Sequence, residues 1–355
     1  MAAPIRQSLL AWSSRLGTLG AVAAAVVALY LVICLILGWW WDYEPDTFDV
    51  HEHARSHAEQ NGRPLVIGYT TTATVLRIAE TLLEKRGGYL SNDLFPPGVW
   101  MDNVPNWEFG VLTQLRDVAR AYRIEFSRSQ SQSREDPDLS EAEGKFFFDN
   151  SSWAFPPSES EYREGIRLFR SYLRRLADPN ATGAQFYARA DNLQQWLLGV
   201  ETRLGSLSQR LSASVGKRQL ELAMAGEPSA RGAGEEAPAA AAPADGPASG
   251  ETIYQTPWLE IDDVFYEARG QTWALLHLLK AVEHDFGAVL DNKAARVSLQ
   301  QIIRELEPTQ DTVWSPVILN GDGLGLLANH SLVMASYISR ANAGLADLRA
   351  LLARG

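Results

Sequence analysis

Residues 89–110 read YLSNDLFPPGVWMDNVPNWEFG, and no other segment gathers so many side chains able to do chemistry. Asn92, Asp93, Asp102, Asn103 and Glu108 are interleaved there with Phe95, Trp100 and Trp107. Carboxylates beside flat aromatic rings are the residue set of a sugar site. Ring faces stack on pyranoses, and a pair of acids supplies general acid and base. Asp93, Asp102 and Glu108 are therefore the catalytic candidates, with Asn92, Trp100, Asn103 and Trp107 as binding candidates. The same residues also have a structural reading. Pro and Gly set turns, Asn and Asp cap helices, and a Trp pins a loop to a helical body. Asn106 is placed to cap a helix that starts at Trp107.

His51, His53 and His57 form the histidine cluster of the chain. On a helix, His53 and His57 share a face at i, i+4, a spacing that can hold a metal. The run HEHARSH departs from the HExxH pattern, because Arg55 stands where the second His would be. A solvated juxtamembrane helix is the preferred reading, and no metal or cofactor is expected. Residues 320–323 (NGDG) contain part of a calcium loop without its other oxygen ligands or closing Glu, and read as a turn. Thr70, Thr71 and Thr72 have no His or Lys nearby in sequence to activate a hydroxyl. G-x-S-x-G, Walker A and G-x-G-x-x-G patterns are absent from the sequence.

What must position these residues begins with an anchor. No acid or base occurs between Arg15 and Asp42, and residues 19–37 are almost wholly Ala, Val, Leu and Ile. About 20 apolar residues in a helix cross a hydrocarbon core of ~30 Å. Only Arg6 and Arg15 carry charge before the run, while Asp42, Glu44, Asp46, Asp49 and Glu52 follow it. The basic end is expected in the cytoplasm and the rest of the chain outside. Trp39, Trp40 and Trp41 suit the outer interface, and Gly-Trp-Trp-Trp-Asp is a poor cleavage site, so the helix reads as an uncleaved anchor.

The chain has 32 basic and 43 acidic residues. Removing Arg6 and Arg15 leaves the remainder more acidic still, which argues against a nucleic-acid footprint and against anionic lipid. Cys34, the one cysteine, lies in the anchor. No disulfide can staple the body, so apolar burial must hold it.

Beyond the anchor the pattern is mostly helical. Residues 65–72 are short and β-branched and read as a strand or an extended lead-in. Helices are expected over 74–85, 107–123, from Ser158 to about 177, over 294–307 and over 324–353, with 127–144 as a polar connection. Phe186, Ala190, Leu193, Leu197, Val200, Leu204, Leu207 and Leu211 alternate in fours and threes, a heptad seam. A second seam runs through Ile261, Phe265, Ala268, Thr272, Leu275, Leu279, Val282, Phe286 and Val289. Similar lengths and matching phase predict that the two seams pack on each other as a long antiparallel hairpin. Between them, 21 of the 26 residues in 225–250 are Ala, Gly, Pro or Ser, which cannot bury a core and predict a flexible tip. The expected organisation is 1–15 cytoplasmic, 16–41 anchor, 42–64 juxtamembrane, 65–220 first helical part with the 89–106 loop, 221–252 tip, and 253–355 second helical part.

On residues 68–93 (GYTTTATVLRIAETLLEKRGGYLSND), residues 96–121 (PPGVWMDNVPNWEFGVLTQLRDVARA) and the single N-terminal anchor, the chain resembles the proteobacterial inner-membrane proteins grouped as domain of unknown function 2333. The resemblance covers most of the chain, with 225–250 as a lineage-specific insertion. It implies a bacterial envelope protein with a helical exported domain, and it implies neither a reaction nor a catalytic residue. The expected role is a non-enzymatic envelope scaffold or adaptor, holding membrane lipid through its anchor and an envelope protein through its body. A second copy of the chain is an alternative partner for the seams. The alternative function is binding or hydrolysis of cell-wall glycan at the carboxylate and Trp loop.

Overall fold

The first helix, α1 (Ala3–Trp41), contains a 22-residue apolar stretch, Gly20–Trp41, with a mean hydropathy of 2.8. At 1.5 Å per residue that stretch is about 33 Å long, enough to cross a bilayer. Its Val22, Val26, Leu29, Leu35 and Ile36 side chains are exposed rather than packed on the body. A helix that is apolar on all sides needs an apolar surround. The computed structural model describes residues 3–128, 135–181, 183–215, 217–220, 251–315, 317–321 and 327–354, with backbone alone for 3–19, 217–220 and 251–254. The tip expected over 225–250 lies outside the described residues.

The body is helical: α2 (Val50–Gln60), α3 (Tyr69–Glu84), α4 (Asn103–Ala121), α5 (Pro137–Phe146), α6 (Ser158–Leu176), α7 (Ala190–Ser212), α8 (Ile261–Asp285), α9 (Gly287–Asn292), α10 (Arg296–Leu306) and α11 (His330–Ala353). Two short strands, β1 (Lys217–Leu220) and β2 (Glu251–Tyr254), form an antiparallel ribbon with Lys217 opposite Tyr254.

At the centre lies α8, buried without a break from Glu267 to Leu279. It runs parallel to α4, as successive contacts show: Asn106 bonds Asp263, and Gln114 bonds Gln271. The two backbones touch. A β-carbon on Gly110 would lie 2.2 Å from the Glu267 carbonyl oxygen, and one on Gly270 would lie 2.0 Å from that of Trp107. Only glycine permits this approach.

The seam of α7 is real, but its partner is α11. Ser208 bonds the Ala335 carbonyl, Gly205 sits by Asn342, and Glu201 pairs with Arg349, so the two helices run antiparallel. Buried Met334, Ile338, Ala341, Leu345, Leu348 and Leu352 supply the matching alternation of fours and threes. The expected packing of one seam on the other gives way because α8 has neighbours all round, with α3, α4 and α10 among them. It meets α7 at Arg210–Glu267, and Phe286, just past its end, packs on Phe186, which precedes α7.

Other boundaries shift for local reasons. Thr70–Thr72 belong to α3, not to a strand, because hydroxyls of buried threonines bond back along the helix, Thr72 to Gly68 and Thr74 to Thr70. The fourth helix starts at Asn103, capped by Asp102 rather than Asn106. Pro105 fits its first turn, where a missing N–H leaves nothing unsatisfied. Within the stretch expected to be a connection, Asp136 caps α5 and is gripped by Arg175 through two bonds of 2.8 Å. The last helix begins at His330, with Asn329 as its cap.

Candidate functional site

The segment joining α1 to α2 is a strap laid along α8. Glu44 pairs with Arg269 at 2.6 Å, the Asp46 carbonyl accepts from Trp273 Nε1 at 3.3 Å, and the Phe48 amide donates to His277 Nε2 at 3.0 Å. Each two strap residues meet the next four residues of α8. Four helical residues rise about 6 Å, so the strap advances ~3 Å per residue, the rise of an extended chain. It therefore fixes the body against the end of α1. Arg269, buried, also donates to the carbonyls of Thr309 and Asp311, which draws in the loop before α11.

Glu108, fully buried in α4, accepts from the amides of Leu90 and Ser91, each at 2.8 Å, from the Ser91 hydroxyl, and from Lys85. Burial pushes its pKa up, against the pull of Lys85 and the donors of Ser91 and Leu90. Both carboxylate oxygens are thus committed to closing the 85–91 turn, where Gly87 and Gly88 take left-handed φ of +83° and +75°. Trp107, also buried, stacks at a tilt on Trp273 with ring centroids 5.3 Å apart.

Asn92 donates to the Ser152 carbonyl at 2.8 Å and to Glu159 at 2.7 Å, tying this loop to residues 149–157 and to the first turn of α6. Asp93 lies against Gly98, whose missing β-carbon leaves room for it, and burial with Glu159 nearby raises its pKa. Asp102 caps α4 through the Asn103 amide. The Asn103 side chain draws the pKa of Asp42 down, against the stronger effect of burial. Trp100 is exposed. The predicted residues thus divide: Glu108, Trp107 and Asn92 are engaged inside the fold, while Trp100 and Asp102 reach its surface.

A second set of carboxylates gathers around Asp102. Burial raises the pKa of Asp42, with Glu44 and Asp102 adding to it. Burial likewise brings Asp263 up to about 6, helped by Asp262, Asp102 and Glu260. The Asn106 amide donates to Asp263 at 2.6 Å. The strap after α1, the start of α4 and the start of α8 each contribute to this acidic end.

His53 and His57 share a face of α2, with ring centroids 6.0 Å apart, while His51 turns away from them. His57 bonds the Tyr69 hydroxyl at 2.9 Å, His53 meets the Phe48 ring at 5.7 Å, and His51 meets the His284 ring at 5.2 Å. Burial depresses the pKa of His53 and of His57. Among the described residues no group of three or more His, Cys, Asp or Glu side chains is arranged to hold a metal. The threonines, isolated from His in sequence, are not isolated in space: Thr70 Oγ1 lies 3.1 Å from His284 Nδ1. Asp285 addresses that same nitrogen at 3.2 Å. A relay needs base and orienting acid on opposite ring nitrogens, so this is no triad. Asp285 instead accepts from the Thr71 amide and hydroxyl, both at 2.7 Å, capping α3 where Gly68 offers no side chain.

The sequence model of a family described as an uncharacterized protein conserved in bacteria, DUF2333, matches residues 14–355. The chain belongs to that family. Comparison with curated proteins and with solved structures gives no match.

Several residues that shape the site in this DUF2333 chain escape a linear reading: Lys85, Asp263, Arg269, His277 and Asp285. Asp262-Asp263 at the start of a heptad seam is a signal for a charged helix N-terminus. Lys85 follows the end of α3, the other three are polar residues of α8, and their partners come from 23 to 229 positions away.

Proposed function

We propose that this DUF2333 member is a single-pass inner-membrane protein. Its N-terminus is cytoplasmic, its helical body is periplasmic, and it serves as a non-enzymatic scaffold or adaptor for another envelope protein. The observation that carries this reading is Glu108. The acid best placed among aromatics is spent on two backbone amides, a hydroxyl and Lys85, so the 89–110 segment is built to be a rigid shape. The basic residues before the apolar stretch of α1 and the acidic strap after it support the orientation.

A reporter active only outside the cytoplasm, fused after Gly355, tests the topology; activity of a cytoplasmic reporter there sinks it. In-cell crosslinking and affinity capture of the full chain test the role, with a defined envelope protein as the expected product. Trp100→Ala and Asp102→Ala are the informative variants, since Trp107 is a core residue whose loss would disturb the fold itself.

The glycan reading keeps one supporting observation, an exposed Trp100 near Asp102 and a carboxyl whose pKa is about 6. Capture of wall fragments without a protein partner would favour it.

A further inference from the structure

The helix end that leaves the apolar stretch Gly20–Trp41 is in contact with the body. A β-carbon placed on Gly38 would lie 3.5 Å from Pro97 Cβ, and one on Gly87 would lie 2.8 Å from the Trp41 ring. Gly38 is three residues inside the stretch, about 4.5 Å deeper than Trp41. With α1 across a bilayer, Pro97 is held at the depth of the interfacial layer.

The side chains around Pro97 suit that layer. Leu94, Phe95, Val99 and Trp100 are all exposed, Phe95 by 77%. Asn106–Asp263 brings the start of α8 to the same end, and there Trp258 and Leu259 are 75% and 76% exposed. Arg269 ties the loop carrying Trp314, 92% exposed, beside the strap. An aqueous surface would not favour so many bare Trp, Phe and Leu side chains around one end. At a headgroup boundary they are in their preferred place.

We infer that the end of the body carrying the N-termini of α4 and α8 is a second membrane-contacting face. Phe95, Trp100, Trp258 and Leu259 insert into the interfacial layer of the bilayer that holds α1. The contact is apolar, and Asp42, Asp102 and Asp263 at the same end exclude an anionic headgroup site, so the surface recognised is zwitterionic lipid. The body thereby sits on the membrane with α8 directed away from it, rather than swinging on a tether.

This inference rests on α1 spanning the bilayer, and the test separates the two. The full chain with Cys34→Ala carries one further change, Phe95→Cys, Trp258→Cys, Val27→Cys or Val297→Cys, all at exposed positions. Each thiol takes a nitrobenzoxadiazole fluorophore in nanodiscs of phosphatidylethanolamine and phosphatidylcholine, which leave both faces open to dithionite. Val27 reports the anchor, and Val297, beyond the far end of α8, reports water. The expected result is about tenfold slower bleaching at 95 and 258 than at 297, equivalent to about 1.4 kcal/mol of partitioning. Bleaching at 95 and 258 as fast as at 297, with 27 protected, overturns the inference and leaves the anchor standing. Fast bleaching at 27 overturns both. Protection at 95 and 258 that arises only in native membranes assigns the face to a protein partner and overturns the lipid contact.

Discussion

Lys85 and Glu108 form an ion pair sealed from solvent, with side-chain exposures of 3% and 0%. The pair joins the end of α3 to the first turns of α4, and the turn between them donates two amides to the same carboxylate. Removing one partner of a buried pair leaves an uncompensated charge in a dry site. Glu108→Gln is expected to destabilise the protein by about 3–5 kcal/mol in denaturant unfolding. Adding Lys85→Met should recover part of that loss, a coupling on the order of 1–3 kcal/mol. Unchanged stability in Glu108→Gln would return this residue to the catalytic candidates.

Gly110→Ala and Gly270→Ala test the contact between α4 and α8. Each new methyl group would fall within 2.2 Å of a backbone carbonyl oxygen, so the helices must separate. A cost of about 3 kcal/mol is expected, at the upper end of overpacking. Gly199→Ala in α7 is the control: nothing lies within 4 Å, and a gain of about 0.5–1 kcal/mol is expected from helix propensity. Equal melting shifts for the three variants would refute the close crossing.

His277 predicts acid sensitivity. Burial lowers its pKa from 6.5 to about 4, and its Nε2 accepts from the Phe48 amide, which requires a neutral ring. The unfolded chain takes up the proton below about pH 6.5, the fold only near 4. Stability from this site is therefore whole above pH 6.5 and is lost as pH falls toward 4, by about 3 kcal/mol. Urea unfolding across that window should show the loss, and His277→Gln should flatten it. An unchanged slope in that variant would place the sensitivity elsewhere.

Asp263 acts in the opposite sense. Its folded pKa of about 6 exceeds its ordinary value, so its contribution is present at low pH and is lost as pH rises through 6. Its partial exposure limits the effect to roughly 1 kcal/mol once solvent screening is counted. Asp263→Asn should raise stability at pH 7 by about that amount and leave it unchanged at pH 4. The buried histidine has the larger effect, so the wild-type chain is expected to weaken on acidification.

Much of this molecule is written in local pattern. The apolar run before Asp42 declares a helix long and apolar enough to cross a membrane, because Gly20–Trp41 carries no charge over 22 residues. Heptad spacing in 190–211 and 261–286 declares helices with buried seams, because 3.6 residues per turn places those positions on one face. Which seam meets which was not legible. Periodicity says that a face is apolar but not who covers it, and α7 found α11 while α8 drew α4 and α3 about itself. The candidate site divided in the same way. That a polar residue caps α4 was legible, since capping is decided within one turn, but the cap is Asp102 where the local pattern pointed to Asn106. Glu108 and Lys85, Arg269 and Glu44, and Asp285 and Thr71 became partners through tertiary contact alone. Desolvation makes a buried charge seek an opposite charge or an amide, and the distance along the chain to that partner carries no signal.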